Sequence, residues 1–223
     1  MSSIQAADRL EILVLVDNIT DSLSSNPPSV SSEWSRFWTS GKLQPISGQN
    51  TCCAHHGLAL LITAWRGDQS RTLLFDAGPE GATFLRNCAV LGVELPRVDA
   101  VVLSHGHWDH AGGLVDALQA ISRRANGEPV PCYVHPQMFA PRGMVRPGGM
   151  VYPLEAVPGP DELERAGARV VSSREPQWLC DGLFYVSGEI ARVTPYEEGL
   201  PGQVRRSDDG QSWQPDPLMI DER

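Results

Sequence analysis

The stretch "LSHGHWDHAGG", Leu103 to Gly113, sets three histidines and an aspartate within six consecutive positions, His105 to His110. The chain has six histidines, so half of them lie here. Ahead of the cluster "VDAVVLSH" reads as a buried strand, and after it Ala111, Leu114, Val115, Leu118 and Ile121 fall at helical spacing. His105 and His107 alternate in an extended segment, so both rings can point the same way from the strand end. Asp109 and His110 open the helix and are displaced from that pair. Imidazole and carboxylate are the usual ligands of zinc and related divalent metals, so one short loop can feed two adjacent metal positions. Gly106 allows a tight loop, while Gly112 and Gly113 allow close helix packing.

Working outward, "LEILVLVDN", Leu10 to Asn18, reads as a buried strand. "GLALLITAW" and "RTLLFDAG" are two apolar runs around "RGDQS", a hairpin signal. Gly81 to Gly92 reads as a helix, with Phe84, Leu85, Cys88 and Leu91 on one face and Gly92 as its stop. "PCYVHP" is a short strand, and the Gly/Pro-rich "APRGMVRPGGMVYP" that follows is expected to be loop. "DELERAGARVV" gives a short helix and a strand, and "GLFYVSGEIAR" the last clear strand; after Thr194 the chain is polar without apolar period. Residues 21–50 are Ser/Pro/Gly-rich with Trp34, Phe37 and Trp38 among them. They are expected as a surface loop whose aromatics pack on the core, or as a lid over a site. One domain over residues 1–223 is expected.

A net charge of -9 and a pI near 5.1 argue against nucleic-acid or anionic-membrane partners. No apolar run approaches the ~20 residues that span a bilayer. Five cysteines without a CxxC pair suit a reducing, cytoplasmic setting with thiols acting as small hydrophobes. A small-molecule substrate is the expected partner, with homodimerisation left open.

"SHGHWDHAGG" resembles the signature of the metallo-β-lactamase-fold superfamily, and "LLFDAG" resembles its second motif. More narrowly, "VLVDN", "HHGLALLI", "LLFDAGP", "LSHGHWDHAGGL", "VHPQMF" and "SGEIARVTPYE" follow the order of a 7,8-dihydropterin synthase-like subgroup. The resemblance implies an α/β fold, a layered αββα sandwich, with a metal centre at one edge of its two sheets. It implies one or two zinc ions, or manganese or iron, as cofactor. His105 and His107 match ligands of a first metal, and Asp109 and His110 ligands of a second. Asp109 also matches a carboxylate that orients the attacking water. The implied activity is metal-dependent hydrolysis of a small anionic molecule. The alternatives are a dihydropterin-dependent transferase joining a phosphorylated ribosyl-aminobenzene, or an inactive binding module.

Asp76, ending "LLFD", matches a carboxylate supporting the ligand loop, a position from which it would fix an imidazole's tautomer; otherwise it caps a turn. His56 and His135 match family histidines and are candidates for substrate contact; either can equally be a structural histidine. Glu189 and Arg192 match a segment at the site rim, where an arginine would grip an anion bidentately; an ordinary surface ion pair is the other reading. In the family, further ligands come from a later histidine segment, an acid and a last histidine. This chain has no histidine after His135. The resemblance therefore leads us to expect the N-terminal part of a longer enzyme, its second half incomplete, exposing apolar surface and binding metal weakly or partially.

Overall fold

A six-stranded sheet positions the histidine loop. The computed structural model describes residues 6–21, 23–39, 46–123, 127–191, 193–196, 199–207 and 209–216. In chain order come β1 (Arg9–Val16), α1 (Glu33–Thr39), β2 (Ala59–Arg66), β3 (Gln69–Phe75), α2 (Gly81–Leu91), β4 (Ala100–Val102), α3 (Trp108–Ala111) and α4 (Leu114–Ile121). Then come β5 (Val130–Val134), β6 (Arg142–Val145), β7 (Val151–Pro153), α5 (Pro160–Arg165) and β8 (Ala168–Ser172). The last strands are β9 (Gln177–Leu179), β10 (Phe184–Val186), β11 (Gln203–Arg206) and β12 (Trp213–Pro215).

The large sheet has the order β1-β2-β3-β4-β5-β8. β1, β2 and β3 pair antiparallel; β3, β4, β5 and β8 pair parallel. Alternation along each strand divides its side chains between two faces. Leu15, Leu74, Val101, Cys132 and Val134 point to one face, where Phe84 and Cys88 of α2, Leu114 and Leu118 of α4, and Leu163 of α5 bury against them. Leu73, Ala100 and Val102 point to the other, where Leu179 and Val186 of the β9–β10 hairpin cover them. That second face is open at its edge: Leu10, Ile12 and Val14 of β1 are 58%, 54% and 47% exposed.

The β2–β3 hairpin and α2 fall where the sequence places them, and Gly92 ends α2 at φ 68, the left-handed conformation that glycine favours. Five segments differ. "APRGMVRPGGMVYP" is not wholly loop: β6 and β7 form a hairpin, with Gly148 and Gly149 at positive φ in its turn. Its glycines and prolines belong to the turn and hide two strands of only a few residues. The polar tail holds β11 and β12, and β11 pairs with β6. β9 joins the expected β10 strand as a hairpin. Within residues 21–50, α1 carries Phe37 in edge-to-face contact with both Trp34 and Trp38, and none of the helix is buried. Arg36 pairs with Glu11 at 3.6 Å, and Glu33 accepts from the Cys52 amide at 3.2 Å, which lays this segment along β1.

The helix expected after the cluster is broken into α3 and α4 at Gly112–Gly113. A Cβ on Gly112 would lie 1.9 Å from the Pro79 carbonyl oxygen, and one on Gly113 2.3 Å from that of Ala77. The obstacle is backbone and cannot swing aside. Gly112→Ala is expected to cost about 1–3 kcal/mol through forced backbone movement. An unchanged urea midpoint would contradict this account of the break.

Candidate metal centre

The parallel strands deliver the site from their carboxyl ends, the usual place for a ligand in such sheets. β3 ends into Asp76, β4 into Ser104 and His105, and β5 into His135. Backbone bonds lock the first two loops together: Ala77 N–H donates to the His110 carbonyl at 2.8 Å and Gly113 N–H to that of Gly78 at 3.1 Å. His107 precedes α3 in extended conformation, which places Asp109 and His110 in that one-turn helix. Gly106 is required between the two histidines. A Cβ there would lie 2.3 Å from the Met138 carbonyl oxygen.

Proton positions follow from the hydrogen-bond network. Asp76 is fully buried at φ 59, a conformation aspartate tolerates better than most residues. Its carboxylate has only acceptors. Oδ1 takes the Ser104 amide at 2.7 Å; Oδ2 takes the Ser104 hydroxyl at 2.8 Å and His110 Nδ1–H at 2.7 Å. Ser104 has thereby used its one hydroxyl proton. The 2.9 Å contact between Ser104 Oγ and His105 Nδ1 is then a donation by the ring, leaving His105 Nε2 bare. Gln203 turns its amide nitrogen to Asp216 Oδ2 at 3.1 Å, so its Oε1 accepts from His107 Nε2–H at 2.8 Å. His107 Nδ1 is bare too.

The two bare nitrogens, His105 Nε2 and His107 Nδ1, face each other at 3.1 Å. Lone pairs at this separation repel unless a cation joins them. A proton is a poor choice: burial above all, then the charges of His110 and His107, pushes His105 down to about 3. A tetrahedral zinc with ~2.0–2.1 Å bonds to nitrogen holds two ligand atoms ~3.3 Å apart, close to what these rings already show. In its neutral form His110 also turns a bare Nε2 inward, 3.7 Å from Asp109 Oδ2. In kind and in aim, the donors fit divalent cations. In number they come as two pairs, and among the described residues no group of three or more His, Cys, Asp or Glu is placed to hold a metal.

His56 stands at the rim, its Nε2 3.4 Å from Asp109 Oδ2 and its side chain 71% exposed. His135 takes the structural arrangement: it is fully buried, Nδ1 accepts from the Gln137 amide at 3.2 Å and Nε2 meets Glu189 Oε2 at 3.0 Å. Arg174 reaches the same Glu189 oxygen at 2.5 Å. His135, first, and Arg174 hold the Glu189 carboxyl below its usual range. His135 and Glu189 thus engage each other and tie β5 to the loop after β10. Arg192 lies outside the described residues. Sequence reading missed Ser104, Gln203, Asp216 and Arg142. Only Ser104 carried a signal, a hydroxyl directly before the first histidine.

The metal-free chain has a defined acid response. His105 takes a proton near 6.5 when unfolded and near 3 when folded. Between those values the unfolded state binds more protons, so stability falls as pH falls, by up to about 1.4 kcal/mol per unit. His110 runs the other way: burial lowers it, but the Asp76 bond and charge and Asp109 outweigh burial and raise it. Its contribution is complete below 6.5 and is lost as pH rises through the folded value. Lowering pH from 7 to 5 should therefore lower the urea midpoint of the parent chain more than that of His105→Gln. Equal losses would contradict the assignment.

The chain is similar to several known proteins. The model of the metallo-beta-lactamase superfamily matches residues 55–167. A Methanocaldococcus jannaschii protein named 7,8-dihydropterin-6-methyl-4-(beta-D-ribofuranosyl)-aminobenzene-5'-phosphate synthase is 30% identical over 137 residues, 61% of this chain and 45% of that protein. Among solved structures, the Rm3 metallo-beta-lactamase is similar at 21% identity and TM-score 0.36, over 71% of this chain and 53% of that one. A quorum-quenching N-acyl homoserine lactone lactonase is similar at 14% identity and TM-score 0.32, over 55% and 47%. The chain spans about half the length of the relatives it matches.

Proposed function

The chain belongs to the metallo-beta-lactamase superfamily, and from that premise we propose that it carries one wall of a metal-dependent hydrolase site acting on a small anionic molecule. The observation that supports this most is the inward pair of bare nitrogens, His105 Nε2 and His107 Nδ1, 3.1 Å apart. His105 and His107 would hold one zinc ion, and Asp109 and His110 a second. Such an ion supplies a Lewis acid that polarises the scissile bond and brings the pKa of water toward ~7. Asp76 holds the Nδ1 proton of His110, and Ser104 holds that of His105, so neither ring can rotate its bare nitrogen away. Asp109 keeps a carboxylate oxygen between His56 and His110, 3.4 and 3.7 Å from their Nε2 atoms. From there it can orient a water molecule and accept its proton. His56, exposed beside it, is positioned to meet the substrate.

The 30% identity to a named dihydropterin synthase favours a second reading, transfer of a dihydropterin to a phosphorylated ribosyl-aminobenzene. Incubating the zinc-loaded protein with a dihydropterin donor and that acceptor separates the two. Hydrolysis of small phosphate or carboxylate esters without a condensed product supports the hydrolase. A condensed product without hydrolysis replaces it with the transferase.

A further inference from the structure

We infer that Gln203, backed by Asp216 and Arg142, is a positioning group that holds His107 with its proton on Nε2 and its lone pair on the inward Nδ1. The inference deepens the proposed metal site and rests on that reading for its purpose. Gln203 lies on β11, almost a hundred residues from the cluster, yet its side chain is 3% exposed and its Oε1 is 2.8 Å from His107 Nε2. An amide can turn either end to a neighbour, so something must fix it. Asp216 does this, because its Oδ2 accepts from Gln203 Nε2 at 3.1 Å and a carboxylate cannot donate. Asp216 is fixed in turn by Arg142, whose Nε donates to the same oxygen at 3.0 Å.

All three side chains are buried. Arg142 and Asp216 are 5% and 6% exposed. Their charges cancel, so the relay adds no net charge behind the site, and removing either Arg142 or Asp216 strands a buried charge. Arg142 serves the cluster twice: its NH1 also donates to the Gly106 carbonyl at 3.1 Å, clamping the residue between the two histidines. β11 pairs with β6, which supplies Arg142, so one small sheet carries the relay. Its role is to choose a tautomer, a task that oxygen acceptors commonly perform for metal-binding histidines.

The first test uses the metal-free 223-residue chain with 15N-labelled histidine. Long-range 1H–15N spectra should show His107 protonated on Nε2, with that proton protected from exchange. In Gln203→Leu the protection should vanish while the Nδ1 proton of His110 stays. A His107 proton on Nδ1, or an unprotected Nε2 proton in the parent chain, overturns the inference. The second test titrates zinc. Gln203→Leu should weaken binding ~10–100-fold. Parent-like zinc affinity in a folded Gln203→Leu protein overturns the inference. A protected Nε2 proton in a chain that takes no zinc supports the relay and overturns the metal reading alone.

Discussion

Asp76→Asn is expected to leave the chain folded and to reverse the ring it supports. The carboxylate now gathers three donors: the Ser104 amide, the Ser104 hydroxyl and His110 Nδ1–H. An asparagine keeps one acceptor for the Ser104 amide and turns an NH2 group toward the other two. His110 then gains most by accepting on Nδ1, which moves its proton to Nε2, the atom that faces Asp109. The lone pair meant for a cation is lost. Zinc affinity should fall by at least the ~10–100-fold typical of a removed ligand-orienting partner, while the urea midpoint changes modestly. Asp76→Ala is the harsher change. It strands buried donors at about 1–3 kcal/mol each and sets an alanine at φ 59, where a side chain other than glycine, asparagine or aspartate costs a further ~1–2 kcal/mol. A loss of at least about 4 kcal/mol is expected, a large share of a typical ~5–15 kcal/mol total. Unaltered zinc binding in Asp76→Asn would remove Asp76 from the site.

The second large effect is His107→Ala. It deletes one of two inward nitrogens and also leaves Gln203 Oε1 without its donor. Zinc binding at the His105 side should drop beyond the ~10–100-fold expected for losing a supporting partner. His135→Ala is the contrast: it removes a buried tie to Glu189 and should lower stability by about 2–4 kcal/mol with zinc affinity kept. Comparable zinc loss in both would mean that folding, not ligation, governs the result.

The parts of the molecule legible from sequence are those whose signals are local. The cluster is six residues long, α2 shows its apolar face and glycine stop, and the β2–β3 turn separates two apolar runs. Asp76, which the resemblance places as a support of the ligand loop, accepts from Ser104 and His110. The parts missed depend on chain contacts far apart in sequence. Gln203 meets His107 across 96 positions and Asp216 meets Arg142 across 74. Strands of three or four residues, such as β11 and β12, are too short to carry a period that could announce them. His135 shows the converse: its position before a proline suits either substrate contact or burial, and only packing decides for burial.

The account is tested most directly by following zinc into the metal-free chain through the imidazole 15N resonances. It predicts that His105 Nε2, His107 Nδ1 and His110 Nε2 move on titration, while the protons on His105 Nδ1, His107 Nε2 and His110 Nδ1 remain. Zinc that leaves these nitrogens unmoved, or that shifts the opposite nitrogen of any of the three rings, would contradict it.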